Sequence, residues 1–208
     1  MGLAPTSSGP IVSIDMTPMR ETILRFEQAL LEFAPERLEH ARPPATQADI
    51  EAIERRIAPL KLPESAIELA RWHDGGYSLS RTRHQWFSLR ESVDARDQIR
   101  SNTAEVRARH PSDESDFFMD IPDQWLPLVH TGITLLCETS TARRVDSPVW
   151  SYSSAEPHEA VARFSSVERM IHVETERVLA GVDRAAEPPL VFERRHDPDF
   201  GRHANYTA

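Results

Sequence analysis

The residues with the most chemical potential lie in "ARWHDGGYSL", positions 70–79. His73 and Asp74 are adjacent, and a carboxylate beside an imidazole is one way to set up a general base. The same run also serves to stop a helix. Trp72 would be the last inward residue, and His73 would suit the negative end of the dipole. Gly75 or Gly76 would take the left-handed conformation at C′. The helix-stop reading is preferred. It makes Gly75 and Gly76 structural and leaves Asp74 and Tyr77 to line a surface built on the turn.

Other candidates for chemistry are weaker. Cys137, the single cysteine, sits in the apolar run "ITLLCE", where a thiol is an inert buried group. A nucleophile would instead need exposure beside a base. There is no G-x-S-x-G, no Gly-rich phosphate loop and no H-E-x-x-H. His196, Asp197, Asp199 and His203 in "HDPDFGRH" match no closed zinc spacing. "HPSDESDFFMD" has carboxylates without the glycine and ligand order of a calcium loop. The expectation is no catalytic residue, no metal and no cofactor. A hydrolase using Cys137 or the His73/Asp74 pair stays open as an alternative.

The elements that would position these residues follow from periodicity. Residues 1–16 mix Gly, Pro, Ser and Thr and are expected to be a flexible leader, without the basic and apolar regions of a secretory signal. Thr17-Pro18 starts a helix with Met19, Ile23, Phe26, Leu30 and Phe33 on one face, ending near Pro35. Thr46 and Asp49 form a capping box before a helix that turns Ile50, Ile53 and Ile57 inward. Leu62-Pro63 opens a third helix, with Glu64 in its first turn and Ala66, Leu69 or Ala70, and Trp72 inward.

Short strands are expected at 77–79 and 86–89. A weakly amphipathic surface helix should span 90–109, with Ala95, Ile99 and Val106 as its anchors. The acidic run from His110 to Asp123 reads as a solvated loop. Pro122 and Pro127 keep the next stretch irregular. Strands are expected at 133–137, 148–152 and 160–164. Ser165 and Glu168 then cap a helix carrying Val167, Met170, Ile171, Val178 and Leu179, ended by Gly181. Residues 182–208 form a docked or mobile tail, with "LVFE" as an edge strand. The reading is one α+β domain over 17–181, with a sheet of short antiparallel strands between N-terminal helices and a closing helix. Trp72, Trp86, Trp125 and Trp150 belong by default to the core. Trp72 and Trp125 lie beside turns and are the pair to line a cleft or interface.

Composition sets outer limits. At 208 residues the chain supports one ordinary domain with tails. A net charge of −9 argues against general affinity for nucleic acid or anionic lipid. One cysteine rules out an intramolecular disulfide and fits a reducing, cytoplasmic setting.

Six short segments, in order, resemble the SUKH superfamily, which includes fungal cell-wall-synthesis regulators and many bacterial proteins. They are the "LP" helix ending in a polar-Gly-Gly turn, "WFSL" at 86–89 and "IPDQWLPL" at 121–128. Gly132 with "ITLLCE", "PVW" at 148–150 and "VARFSSVERMI" at 161–171 complete the set. Glu138 falls where an acid is usual, although Cys137-Glu138 replaces the commoner Leu-Asp. The similarity covers roughly residues 44–175.

The resemblance implies an α+β fold, protein binding and no catalysis. Bacterial members are often immunity proteins that neutralise a cognate toxin, frequently a nuclease or deaminase. The expected mode is occlusion of the toxin by a surface near the 72–77 turn and the acidic 112–123 loop. Trp72, Asp74, Tyr77, Trp125 and Glu138 would contribute, and Asp113, Glu114, Asp116 and Asp120 would mimic phosphates toward a basic groove. The alternative is a regulatory scaffold or small-ligand-binding module with no toxin partner. No direct nucleic-acid or membrane contact is expected.

Overall fold

Most of the helices start where a side chain can satisfy a free amide; the one that follows Pro63 has no such cap. Thr17 Oγ1 accepts from the Arg20 amide at 3.3 Å, and Pro18 opens α1, Pro18–Phe33. A 3₁₀ turn, Pro35–Leu38, follows. Thr46 and Asp49 form the reciprocal capping box of α2, Gln47–Arg56, and α3, Glu64–Trp72, begins after Pro63. The computed structural model describes residues 17–78, 85–109, 121–130, 133–153 and 156–181. The leader, the tail with its "LVFE" segment and most of the acidic loop lie outside them.

Among the described residues, five strands form one antiparallel sheet in chain order, with a helix between the first two: β1 Gln85–Trp86, β2 Trp125–His130, β3 Ile133–Glu138, β4 Val149–Ser153 and β5 Glu156–Phe164. Leu126 pairs with Cys137, Leu136 with Trp150, and Trp150 with Ala162. Successive side chains on a strand point to opposite faces. Leu126, Cys137, Val149 and Phe164 therefore meet the buried residues of α1, α3 and the last helix, α5, Val167–Leu179, in the main core. Leu136, Trp150 and Ala162 face the other way, into a smaller cluster with Ile121, Ile99 and Trp125.

Several expectations are corrected. Leu89 does not end a strand; it begins α4, Leu89–Arg109. Ser88 caps that helix, accepting from the Glu91 amide at 3.1 Å while Glu91 accepts from the Ser88 amide at 2.9 Å. Val93 is the fully buried anchor of α4; Ile99 packs as expected, and Ala95 is half-buried. Pro127 lies inside β2 rather than preventing it, because the register shifts between Pro127 and Val129 and relieves the missing amide. The cap of α5 is Ser166, one residue beyond the expected position; its side chain accepts from the Arg169 amide at 2.9 Å. Asp146, from the β3–β4 connection, adds bonds from the Val167 and Glu168 amides at 3.1 and 3.2 Å. Phe33 and Leu179 are exposed, because each lies in the last turn of its helix.

Candidate functional site

The 73–78 turn is a backbone junction. The His73 amide donates to Leu69 O at 3.0 Å, and His73 itself is extended, so α3 ends there without a glycine. Gly75 and Gly76 do adopt positive φ, 79° and 84°, but two and three residues beyond that end. Their role is close approach. A Cβ on Gly75 would meet Ser88 N at 2.4 Å, and one on Gly76 would meet His40 O at 2.1 Å. The Arg42 amide donates to Gly75 O, Asp74 to Pro43 O, Gly76 to Trp86 O and Ser78 to Arg37 O, all within 2.9–3.2 Å. Four chain segments are locked together through main-chain atoms.

The side chains of the turn serve the same junction. His73 Nδ1 lies 2.9 Å from Arg42 O, so this nitrogen carries the proton and donates. Asp74 Oδ1 accepts from the Leu89 amide at 2.8 Å, holding the start of α4. Burial raises the Asp74 pKa above its ordinary value, against the lowering by that amide and by Arg42. Glu91 is held below its ordinary value. Burial works against its ionisation, but Arg42, 2.6 Å away, and the Ser88 amide outweigh it. The histidine and the carboxylate thus bond to different backbone groups, and neither orients the other.

Tyr77 has no exposed surface, which removes it as a partner-facing residue. It stacks on Trp86 at 5.3 Å and meets Trp72 edge-on at 5.0 Å, and Trp72 in turn contacts Phe26. Trp72 is half-buried, with its Nε1 enclosed. On the opposite face of the sheet, Trp125 stacks on Trp150 at 5.2 Å. Glu138 accepts from Trp150 Nε1 at 2.9 Å and from Arg144 at 3.0 Å, which places the acid at the edge of that stack. Trp72 and Trp125 therefore belong to two separate aromatic groups. Asp113, Glu114, Asp116 and Asp120 lie outside the described residues, as do His196, Asp197, Asp199 and His203.

Cys137 is fully buried, and burial pushes its thiol up to about 12. Among the described residues no three or more His, Cys, Asp or Glu gather as metal ligands, and no helix is long and apolar enough to cross a membrane.

The structure adds a concavity that sequence reasoning missed. A cleft of about 430 Å³ opens between the starts of α1, α2, α3 and α5 and the β3–β4 connection. Met19, Ile50, Ile67 and Val145 supply its apolar surface, and Val145 is 75% exposed. Glu64 figured in the sequence only as a helix-dipole residue and Glu168 only as a cap. No pattern linked them, because the cleft gathers positions as far apart as 17 and 168.

Among the described residues, a five-stranded antiparallel sheet, covered by helices and fixed by a main-chain junction, defines an α+β domain. Residues 44–172 match the SMI1 / KNR4 family (SUKH-1), and the chain belongs to that family, within the SUKH superfamily. No curated protein matches it. The matched stretch includes the 73–78 turn and all five strands and leaves out α1.

Proposed function

We propose that this SUKH-domain protein is a non-catalytic protein-binding module acting as a bacterial immunity protein, which binds a cognate toxin and blocks it. The observation that carries the reading is the use of His73 and Asp74. Both side chains are committed to backbone partners, Arg42 O and the Leu89 amide, where a catalytic pair would face a substrate. The enclosed Cys137 thiol supports the same reading. Membership of a family known for protein–protein interaction supplies the binding role. The net charge of −9 suits a toxin with a basic substrate groove, as a nuclease or deaminase would carry.

The test is co-expression with the toxin encoded beside this gene, followed by a pull-down of the pair. Protection of the host and a stable complex are expected. A neighbouring toxin whose toxicity and partners are unchanged by this protein would refute the immunity role. Stable host partners in the absence of any toxin gene would favour the regulatory scaffold.

A further inference from the structure

The cleft between the helix starts selects the charge of its occupant. Its two cations are already engaged. Arg143 donates to both oxygens of Glu54 at 2.8 and 2.9 Å, and Arg71 donates to Glu68 at 3.0 Å and to Gln47 at 2.9 Å. The amides at the starts of α3 and α5 are taken as well. Glu64 N and Ser65 N donate to Arg144 O and Val145 O at 2.9 and 3.0 Å, and Asp146 accepts from the first amides of α5. These cations and amides already have partners, which disfavours an anion at this end of the cleft.

The acids are different. Glu64 and Glu168 have no ion-pair partner among the described residues; Glu168 accepts only a long bond from Thr22, 3.4 Å. A second, independent observation points to a ligand. Ser65, 2% exposed, is one of the residues lining the cleft, and its enclosed hydroxyl oxygen has no hydrogen-bond partner among the described residues. A buried hydroxyl without a partner carries a desolvation cost that an occupant can relieve.

We propose that this cleft receives a cationic side chain, an arginine or lysine on an extended segment of a partner protein. The aliphatic stem lies along Met19, Ile50, Ile67 and Val145, and the head group donates to Glu64, Glu168 and the Ser65 hydroxyl. This rests on the protein-binding reading and names the chemistry of the partner. A basic toxin surface would supply such a side chain, with exposed Val145 as an apolar rim contact.

The experiment titrates the full chain, with labelled Met, Ile and Val methyls, with a capped arginine-containing peptide and with its uncharged citrulline counterpart. Shifts confined to Met19, Ile50, Ile67 and Val145 are expected with arginine and not with citrulline, weakening as salt rises. Glu64→Gln with Glu168→Gln should reduce affinity about tenfold. Ser65→Ala should reduce it several-fold while leaving thermal unfolding unchanged or raised, since that hydroxyl has no partner to lose. Equal binding of citrulline, preference for an acidic peptide, or no response at millimolar peptide overturns the proposal. So do methyl shifts that depend on protein concentration alone, which give the cleft to a second copy. If the glutamine variants still neutralise a toxin at full strength, the cleft assignment fails and the immunity reading stands.

Discussion

Replacing Gly76 with alanine adds one methyl group where the structure has no room. At φ 84° a residue with a Cβ carries a strain of about 1–2 kcal/mol. The new Cβ would lie 2.1 Å from His40 O and 3.0 Å from Arg42 Cγ. The first contact is with backbone, which cannot swing aside as a side chain does. Relief requires moving the 40–42 segment, whose Arg42 amide bonds to Gly75 O at 3.0 Å. Overpacking of this kind costs about 1–3 kcal/mol more. The expected loss is about 2–5 kcal/mol, against a total of about 5–15 for a typical protein. For a chain of this size the melting temperature should fall by roughly 4–20 °C. Urea unfolding followed by tryptophan fluorescence is a suitable assay, since Trp72 and Trp86 both contact Tyr77. A change within about 0.5 kcal/mol, the range of an ordinary surface substitution, would refute the junction as described.

Further outcomes follow from the same geometry. Asp74→Ala should destabilise by about 0.5–2 kcal/mol by freeing the Leu89 amide, whereas Asp74→Asn keeps an acceptor and loses an ion that burial disfavours, so it should be neutral or stabilising near pH 7. Equal losses in the two variants, by thermal unfolding, would show that the charge matters rather than the acceptor. Glu91 has a lowered folded-state pKa, so its contribution is present above the ordinary value of 4.5 and disappears as pH falls through the folded value. The stability advantage of wild type over Glu91→Gln should therefore shrink as pH falls below the ordinary value of 4.5; an advantage that grows on acidification would contradict the assignment. Cys137 should resist iodoacetamide in the folded protein and react only on unfolding, and labelling within minutes under native conditions would contradict its burial. Asp146→Ala should cost about 1–2 kcal/mol by uncapping α5; unchanged urea unfolding would leave Ser166 as the sufficient cap.

Local rules made most of the fold legible. Thr17-Pro18 and Thr46-Asp49 start α1 and α2 where the sequence places them, because a cap involves neighbours within one turn. The same rule would have found Ser88 and Glu91, a serine-x-x-glutamate box in plain view. It was hidden because "WFSL" reads as strand, and the true strand ends at Trp86. Pro127 misled for a different reason: whether a strand tolerates proline depends on a register shift set by the partner strand. At the turn, the sequence marks Gly75 and Gly76 correctly as left-handed, but the reason lies in distant atoms, His40 O and Ser88 N. The same holds for Tyr77. Its burial depends on Trp86, nine positions on, and alternation alone cannot supply that neighbour. The cleft was least legible of all, since its walls come from positions as far apart as Thr17 and Glu168.

The 73–78 junction is held mainly by main-chain donors and acceptors, and a main-chain bond is indifferent to the side chain that flanks it. Apart from two glycines, one aspartate, one histidine, Arg37 and the buried stack of Tyr77 on Trp72 and Trp86, the residues it joins can change without altering how the segments meet. Such a protein keeps its scaffold and its surface separate. Its exposed positions can be rewritten one by one while the geometry that displays them is inherited intact.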